Sequence, residues 1–275
     1  KTAVTTPDYM IGLYASSLIK DGGTLQIGIG ALGDAIVHAA KLRHEQTELY
    51  QHILTTSNII ENHGQLIQAL GGTTPFEEGL YGATEMFVDG FLHLYDANIL
   101  KREVYDFWAL QAVINQNLVT KHNFSNIFSE FEQLGLRVIR TKDFEILQYH
   151  GVFNDETRYD AGYIVTPTGK RVIANMADPD TCKILTQECL GEQLKNGIVL
   201  HGGFFLGPQS FYDRLHEIGQ TKRDQICMTG VNKVNQLDLN PRLYKLQRRY
   251  ARFINTGLMA TLSGAVVSDG LADGR

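Results

Sequence analysis

The sequence predicts an α/β protein, a sheet with helices on both of its faces. Two observations carry that expectation. Short apolar or alternating runs at 24–28, 198–200 and 252–255 have the length and glycine-rich bounds of strands. Amphipathic stretches at helical spacing separate them, and that alternation along one chain is the α/β pattern. A length of 275 residues gives one large domain or two smaller ones, enough to bury a full core without staples.

Taken in order, Thr6 has the chemistry of a helix N-cap and Pro7 stands at the first helical position. Ile11, Tyr14 and Leu18 then recur at helical spacing until Asp21-Gly22-Gly23 stops the helix. Leu25, Ile27 and Ile29 alternate as a strand, and Gly28-Ile29-Gly30-Ala31-Leu32-Gly33 leads into a helix with Ile36, Ala39 and Ala40 on one stripe. A second strand is expected over 49–55 and a helix over 65–70, closed by Gly71-Gly72. Leu92, Tyr95 and Ile99 mark a further helix, ended by the basic pair Lys101-Arg102.

Segments 107–117 and 123–134 read as helices, the latter with Phe124, Ile127, Phe128 and Phe131 as core. A β-hairpin is expected over 162–175, turning at Pro167-Thr168-Gly169, and Asp180 is expected to cap a helix running to Leu194. Asn196-Gly197 breaks that helix. A short strand at 198–200, a glycine loop at Gly202-Gly203 and a helix over 209–218 follow. Segments 252–255 and 258–262 are strand-like, and 268–275 reads as a turn.

Composition narrows the function. A net charge of −5 gives no electrostatic case for nucleic acid. No apolar run reaches membrane-spanning length and no signal peptide opens the chain, so the expectation is a cytoplasmic protein with no membrane partner. Cys182, Cys189 and Cys227 lack CxxC spacing and leave an odd one over, which suits free thiols in a reducing compartment. The nine histidines include no HxxxH or HExxH pair, and no metal is expected.

Two places carry candidate chemistry. Glu85 lies among small and apolar neighbours, and is either an exposed residue at a strand end or a carboxylate placed in a pocket. Gly28-x-Gly30-x-x-Gly33 sits between a predicted strand and helix. It is either a dinucleotide fingerprint, with a pyrophosphate received at the helix N-terminus, or a tight strand-to-helix turn. The acidic residue that the fingerprint needs about 20 positions on has only Glu48 to supply it.

Four segments together resemble one family. They are Asp21-Gly22-Gly23-Thr24-Leu25-Gln26-Ile27-Gly28-Ile29-Gly30, then Tyr81-Gly82-Ala83-Thr84-Glu85-Met86-Phe87-Val88-Asp89-Gly90. The third is Gly202-Gly203-Phe204-Phe205-Leu206-Gly207-Pro208-Gln209-Ser210-Phe211-Tyr212, and the fourth is Ala251-Arg252-Phe253-Ile254-Asn255-Thr256; the tail 265–275 adds to them. The chain resembles the acetyl-CoA hydrolase/transferase family of class I CoA-transferases and is similar to 4-hydroxybutyrate CoA-transferases. Gly33-Asp34 departs from the proline-containing turn of that family.

The resemblance implies a CoA-transferase-like three-layer α/β/α sandwich with a mixed, mostly parallel sheet, plus a helix-rich insertion. Residues 1–105 and 197–275 would form the C-terminal catalytic α/β domain, incomplete here, and 106–196 an inserted subdomain. The family places another α/β domain before Lys1 and a glycine-rich segment after Arg275. The implied reaction is CoA transfer from an acyl-CoA to a small carboxylate through a glutamyl-CoA thioester on Glu85; with water as acceptor it becomes an acetyl-CoA hydrolase. Coenzyme A is then a substrate and not a permanently bound cofactor, and the enzyme a homo-oligomer.

By the same likeness Gly28, Gly30, Gly202 and Gly203 would line the pocket, and Phe205, Leu206 and Gly207 would pack on the pantetheine arm. Asn255 is either a hydrogen-bond donor to the thioester carbonyl or a strand-terminal cap. Arg248, Arg249 and Arg252 either pair with CoA phosphates or form a solvated basic helix face. A glutamate suits the step because it is already ionised at neutral pH and needs no base partner.

Overall fold

The computed structural model describes residues 3–268 and 270, and divides into two compact units. Unit 1 takes Lys1–Arg102, Val199–Gln236 and Arg248–Arg275, and unit 2 takes Glu103–Ile198 with Leu237–Gln247. The segment 237–247, which the sequence places with the catalytic part, thus belongs to unit 2.

Unit 1 opens with α1 (Thr6–Ser17), whose cap is Thr5, one residue before the expected one. The Asp8 carboxylate accepts from the Thr5 N–H at 2.8 Å while the Thr5 hydroxyl accepts from the Asp8 N–H, a reciprocal capping box. β1 (Thr24–Ile27) and α2 (Ala31–Glu45) follow as expected. The strand expected over 49–55 is instead α3 (Thr47–Thr56). Its β-branched residues favour a strand locally, but Tyr50 and Leu54, one helical turn apart, are both completely buried, and that burial decides. α4 (Ile59–Leu70), β2 (Tyr81–Phe87) and α5 (Asp89–Asp96) complete this part.

Unit 2 contains α6 (Trp108–Asn115), α7 (Ile127–Gln133), α8 (Thr141–Tyr149), β3 (Arg158–Asp160), β4 (Tyr163–Val165), β5 (Arg171–Ile173) and α9 (Pro179–Glu188). The expected hairpin is β4–β5, and β3 adds a third antiparallel strand. α9 is capped by Asp178, whose side chain accepts from the Asp180 N–H, and it ends at Glu188, short of Leu194. Phe124, Phe128, Phe131, Phe144 and Phe153 form the aromatic centre of this unit's own core.

Unit 1 resumes with β6 (Leu200–Phe205), α10 (Gln209–Glu217), α11 (Gln220–Asp224), β7 (Ile226–Met228) and α12 (Val231–Asn235). α13 (Pro241–Gln247) returns to unit 2; β8 (Arg252–Ile254), β9 (Met259–Ala260) and β10 (Val266–Val267) close the described chain. Gly202 and Gly203, expected in a loop, are interior residues of β6. Of the expected turn and the family-like tail at 265–275, positions 269 and 271–275 lie outside the described residues.

The central sheet has the order β7-β6-β2-β1-β8, and each of its four pairings is parallel. From β1 the chain steps outward through β2, β6 and β7, then returns to add β8 on the other side of β1. Helices α2 and α5 pack on one face: a Cβ on Gly90 would lie 2.7 Å from Val37 and 3.3 Å from Ile27. α12 packs on the opposite face, where Val231 closes on Gly203. The result is a three-layer α/β/α arrangement. Among the described residues no helix is long and apolar enough to cross a membrane.

Candidate functional site

The strand registers assemble one row of residues. β1 and β2 pair Thr24 with Tyr81 and Leu25 with Gly82, where their ladder ends; Gly28 and Glu85 each follow three residues later and keep the same face of the sheet. β2 and β6 pair Thr84 with Gly202 and Met86 with Phe204, which brackets Glu85 against Gly203. β1 and β8 pair Ile27 with Ile254, which sets Gly28 beside Asn255, and the Gly28 N–H donates to the Ile254 carbonyl at 3.0 Å. Asn255 and Gly28 thus stand in step, as do Glu85 and Gly203, and the four share one face toward the carboxyl ends of four neighbouring strands. In-step residues of a parallel sheet share a face and stand about 4.8 Å apart.

The glutamate thus has a residue without a side chain, Gly203, on its β6 flank. A Cβ at position 203 would lie 2.7 Å from the Glu85 carbonyl oxygen, so glycine is required there by close approach. Glu85 itself is half-buried, and its Oε2 accepts from the Asn235 Nδ2 at 3.1 Å. Val231 and Asn235 are one turn apart on α12, so the residue that packs on Gly203 and the residue that clasps Glu85 share a helix face. Sequence reasoning did not find Asn235; its only signal is that four-residue spacing in a segment too short to show periodicity.

The same sheet face carries buried polar groups below the row. The Tyr81 hydroxyl and His201 Nδ1 are 2.8 Å apart. Arg102 donates to the Thr24 hydroxyl at 2.9 Å and stacks over the Tyr81 ring, and burial pulls its pKa down to about 10. Gln26 lies on this face as well, 7% exposed, and donates through Nε2 to Asn255 Oδ1 at 3.5 Å.

A crevice of about 300 Å³ opens next to the row. Ile27, Gly28, Gly30, Val88, Leu206 and Pro208 give it mainly apolar walls, and Asp34 and Asp89 are its charged residues. Of the residues expected to contact CoA, Gly28, Gly30, Leu206 and Gly207 line it, whereas Glu85, Asn255, Gly202, Gly203 and Phe205 do not. Phe205 is 41% exposed and makes ring contacts with Phe87 and Phe211. Gly202 is buried, with Met228 and Leu200 against its bare side. Gly28 is the residue common to the row and the crevice.

Two glycines of the Gly28-x-Gly30-x-x-Gly33 motif have a conformational account. Gly30 caps α2 at φ +92°, a backbone state that favours glycine, and a Cβ on Gly33 would lie 2.2 Å from the Gly28 carbonyl oxygen. The chain then runs into α3 and α4 before reaching β2, so no compact βαβ unit follows the motif, and Glu48 is exposed in the first turn of α3.

Neither reading of the three late arginines holds, because each is turned inward onto backbone carbonyls. Arg248 donates to Gln236 at 3.2 Å and to Lys233. Arg249 donates to Gly22 at 3.0 Å and pairs with Glu78. Arg252 donates to Leu18 at 2.8 Å and to Leu70. They staple loops together. No group of metal-binding side chains occurs among the described residues. The chain matches no known family model, no curated protein and no solved structure.

Proposed function

We propose that this protein is a cytoplasmic CoA-transferase that moves CoA from an acyl-CoA to a small carboxylate, with Glu85 as the covalent residue. The observation that carries the reading is a half-buried carboxylate with Gly203 on its flank, on the sheet face it shares with Gly28 and Asn255, at the carboxyl ends of parallel strands, where α/β sheets bind ligands. The bare flank at Gly203 gives a flat acyl group room beside the carboxylate. Asn235 holds the carboxylate in one orientation.

In this reading a Glu85 oxygen attacks the thioester carbonyl, the C–S bond breaks and the thiolate leaves, giving a mixed anhydride. The thiolate then attacks the glutamyl carbonyl and expels the acyl group as a carboxylate, leaving a glutamyl thioester. An incoming carboxylate reverses the sequence and departs as the new acyl-CoA, with Glu85 regenerated. Each tetrahedral intermediate bears an oxyanion, and one well-aimed donor to it supplies about 3 kcal/mol. Asn255 is the nearest side-chain donor of the row. The apolar crevice beside Gly28 suits the uncharged arm of the thioester.

Water in place of the carboxylate makes the same site an acyl-CoA hydrolase. A dinucleotide-binding oxidoreductase has less in its favour, since backbone geometry already accounts for Gly30 and Gly33. The test is to incubate the full-length protein with acetyl-CoA, with and without acetate or succinate, add hydroxylamine, and map the product by mass spectrometry. Hydroxamate on Glu85 supports the reading. Full turnover with unmodified Glu85 refutes it.

A further inference from the structure

We propose that Gln26 is a positioning residue that fixes which end of the Asn255 amide faces the reacting carbonyl; this rests on the reading of Glu85 above. Gln26 stands in step with Phe253 on β8, two residues before Asn255, and so shares the face that carries Asn255. Between Gln26 and Asn255 lies the bare surface of Gly28, where a Cβ would sit 3.6 Å from Asn255 Oδ1. Across it the Gln26 Nε2 donates to that Oδ1 at 3.5 Å. Among the described residues no other side chain is seen bonded to the exposed Asn255.

A primary amide has its acceptor on one branch and its two donors on the other. Holding Oδ1 against Gln26 turns the Nδ2 donors outward. A developing oxyanion needs a donor at that position, and an acceptor there would repel it. Gln26 is deep enough to keep its own orientation, whereas Asn255 at the surface is free to turn.

A second observation separates this role from plain packing. The Gln26 Oε1 is buried with no partner among the described residues. An open buried acceptor is a standing cost that methionine, of equal length, would remove. Packing alone therefore favours methionine at position 26, and the amide is explained by what its other end holds.

The experiment compares Gln26→Met and Gln26→Glu in the full-length protein, measuring acetyl-CoA turnover, Glu85 labelling and thermal unfolding from pH 5 to 8. Gln26→Met should lower kcat by about 10-fold or more, with KM nearly unchanged, since one oriented donor is lost. Gln26→Glu presents an acceptor to Asn255 and should be the slower variant at pH 8. On acidification its protonated carboxyl donates to Oδ1 again, so activity recovers relative to wild type. Adding Asn255→Ala should abolish that recovery.

Should the core substitutions fail to fold, Asn255→Ala alone, at an exposed site, must show the same fall in kcat at unchanged KM. Wild-type kcat in Gln26→Met or Asn255→Ala overturns the proposal, as does a Gln26→Glu profile parallel to that of wild type. In each of those cases a labelled Glu85 leaves the transferase reading standing. Absence of label in the wild type removes both.

Discussion

Replacing Gly203 by alanine tests the row most directly. The added methyl would lie 2.7 Å from the Glu85 carbonyl oxygen and 2.8 Å from Val231 Cγ2. A shift of α12 relieves only the Val231 contact, and relieving the carbonyl requires β2 and β6 themselves to part at Glu85. Overpacking of this kind costs about 1–3 kcal/mol. At roughly 2–4 °C per kcal/mol for a unit of this size, the midpoint of thermal unfolding should fall by several degrees. The shift also carries Asn235 away from Glu85, so hydroxylamine labelling at Glu85 should fall in the fraction that stays folded. Gly64→Ala is the control: it lies within α4, where a Cβ meets only Ile60 at an ordinary 3.6 Å, and it should stabilise by about 0.5–1 kcal/mol. If Gly203→Ala unfolds at the wild-type temperature with wild-type labelling, the close approach of β6 to Glu85 is wrong.

Two further outcomes follow from buried cations and bases. Arg43, 1% exposed, donates to the carbonyls of Ser16, Ile19 and Thr74 at 3.2, 2.6 and 2.7 Å. Arg43→Met strips the Ile19 and Thr74 carbonyls of this donor, while Ser16 keeps the Ile19 N–H, and should cost about 3 kcal/mol, which denaturant unfolding will show; a loss under about 1 kcal/mol contradicts it. In unit 2, His150 Nε2 accepts from the Asp106 N–H and Nδ1 faces the Lys195 carbonyl, an arrangement for the neutral ring, and burial holds its pKa below the ordinary 6.5. The unfolded chain therefore takes up the proton first. The stabilisation is complete above about pH 6.5 and is lost as pH falls through the lowered native value. His150→Gln, which keeps an acceptor for Asp106, should flatten unfolding temperature between pH 7 and 5 relative to wild type.

What the sequence makes legible is the part decided by local periodicity. The stripe of Ile36, Ala39 and Ala40 and the alternation of Leu25 and Ile27 are visible because neighbours in the chain share one environment. The segment 49–55 misleads, because Ile53, Thr55 and Thr56 favour strand while tertiary burial of Tyr50 and Leu54 demands helix. Gly202 and Gly203 look like a loop because their reason for lacking side chains, Met228 on one side and the Glu85 backbone on the other, comes from distant segments. The late arginines look like a phosphate site because sequence gives their charge and not their carbonyl partners. At the site, Glu85 stands out among apolar neighbours, whereas Asn235 and Gln26 acquire meaning only once four strands are laid in register.

The return of β8 to the far side of β1 has a consequence for biogenesis. Gly28 and Glu85 emerge from the ribosome early, but Asn255 joins their row only when one of the last described segments docks. Until then the edge of β1 is an open ladder, able to pair with any extended chain that reaches it. Closing so long a loop is entropically slow, and the waiting intermediate is exposed to aggregation. Nascent chains halted upstream of position 252 should accordingly be the ones that chaperones retain.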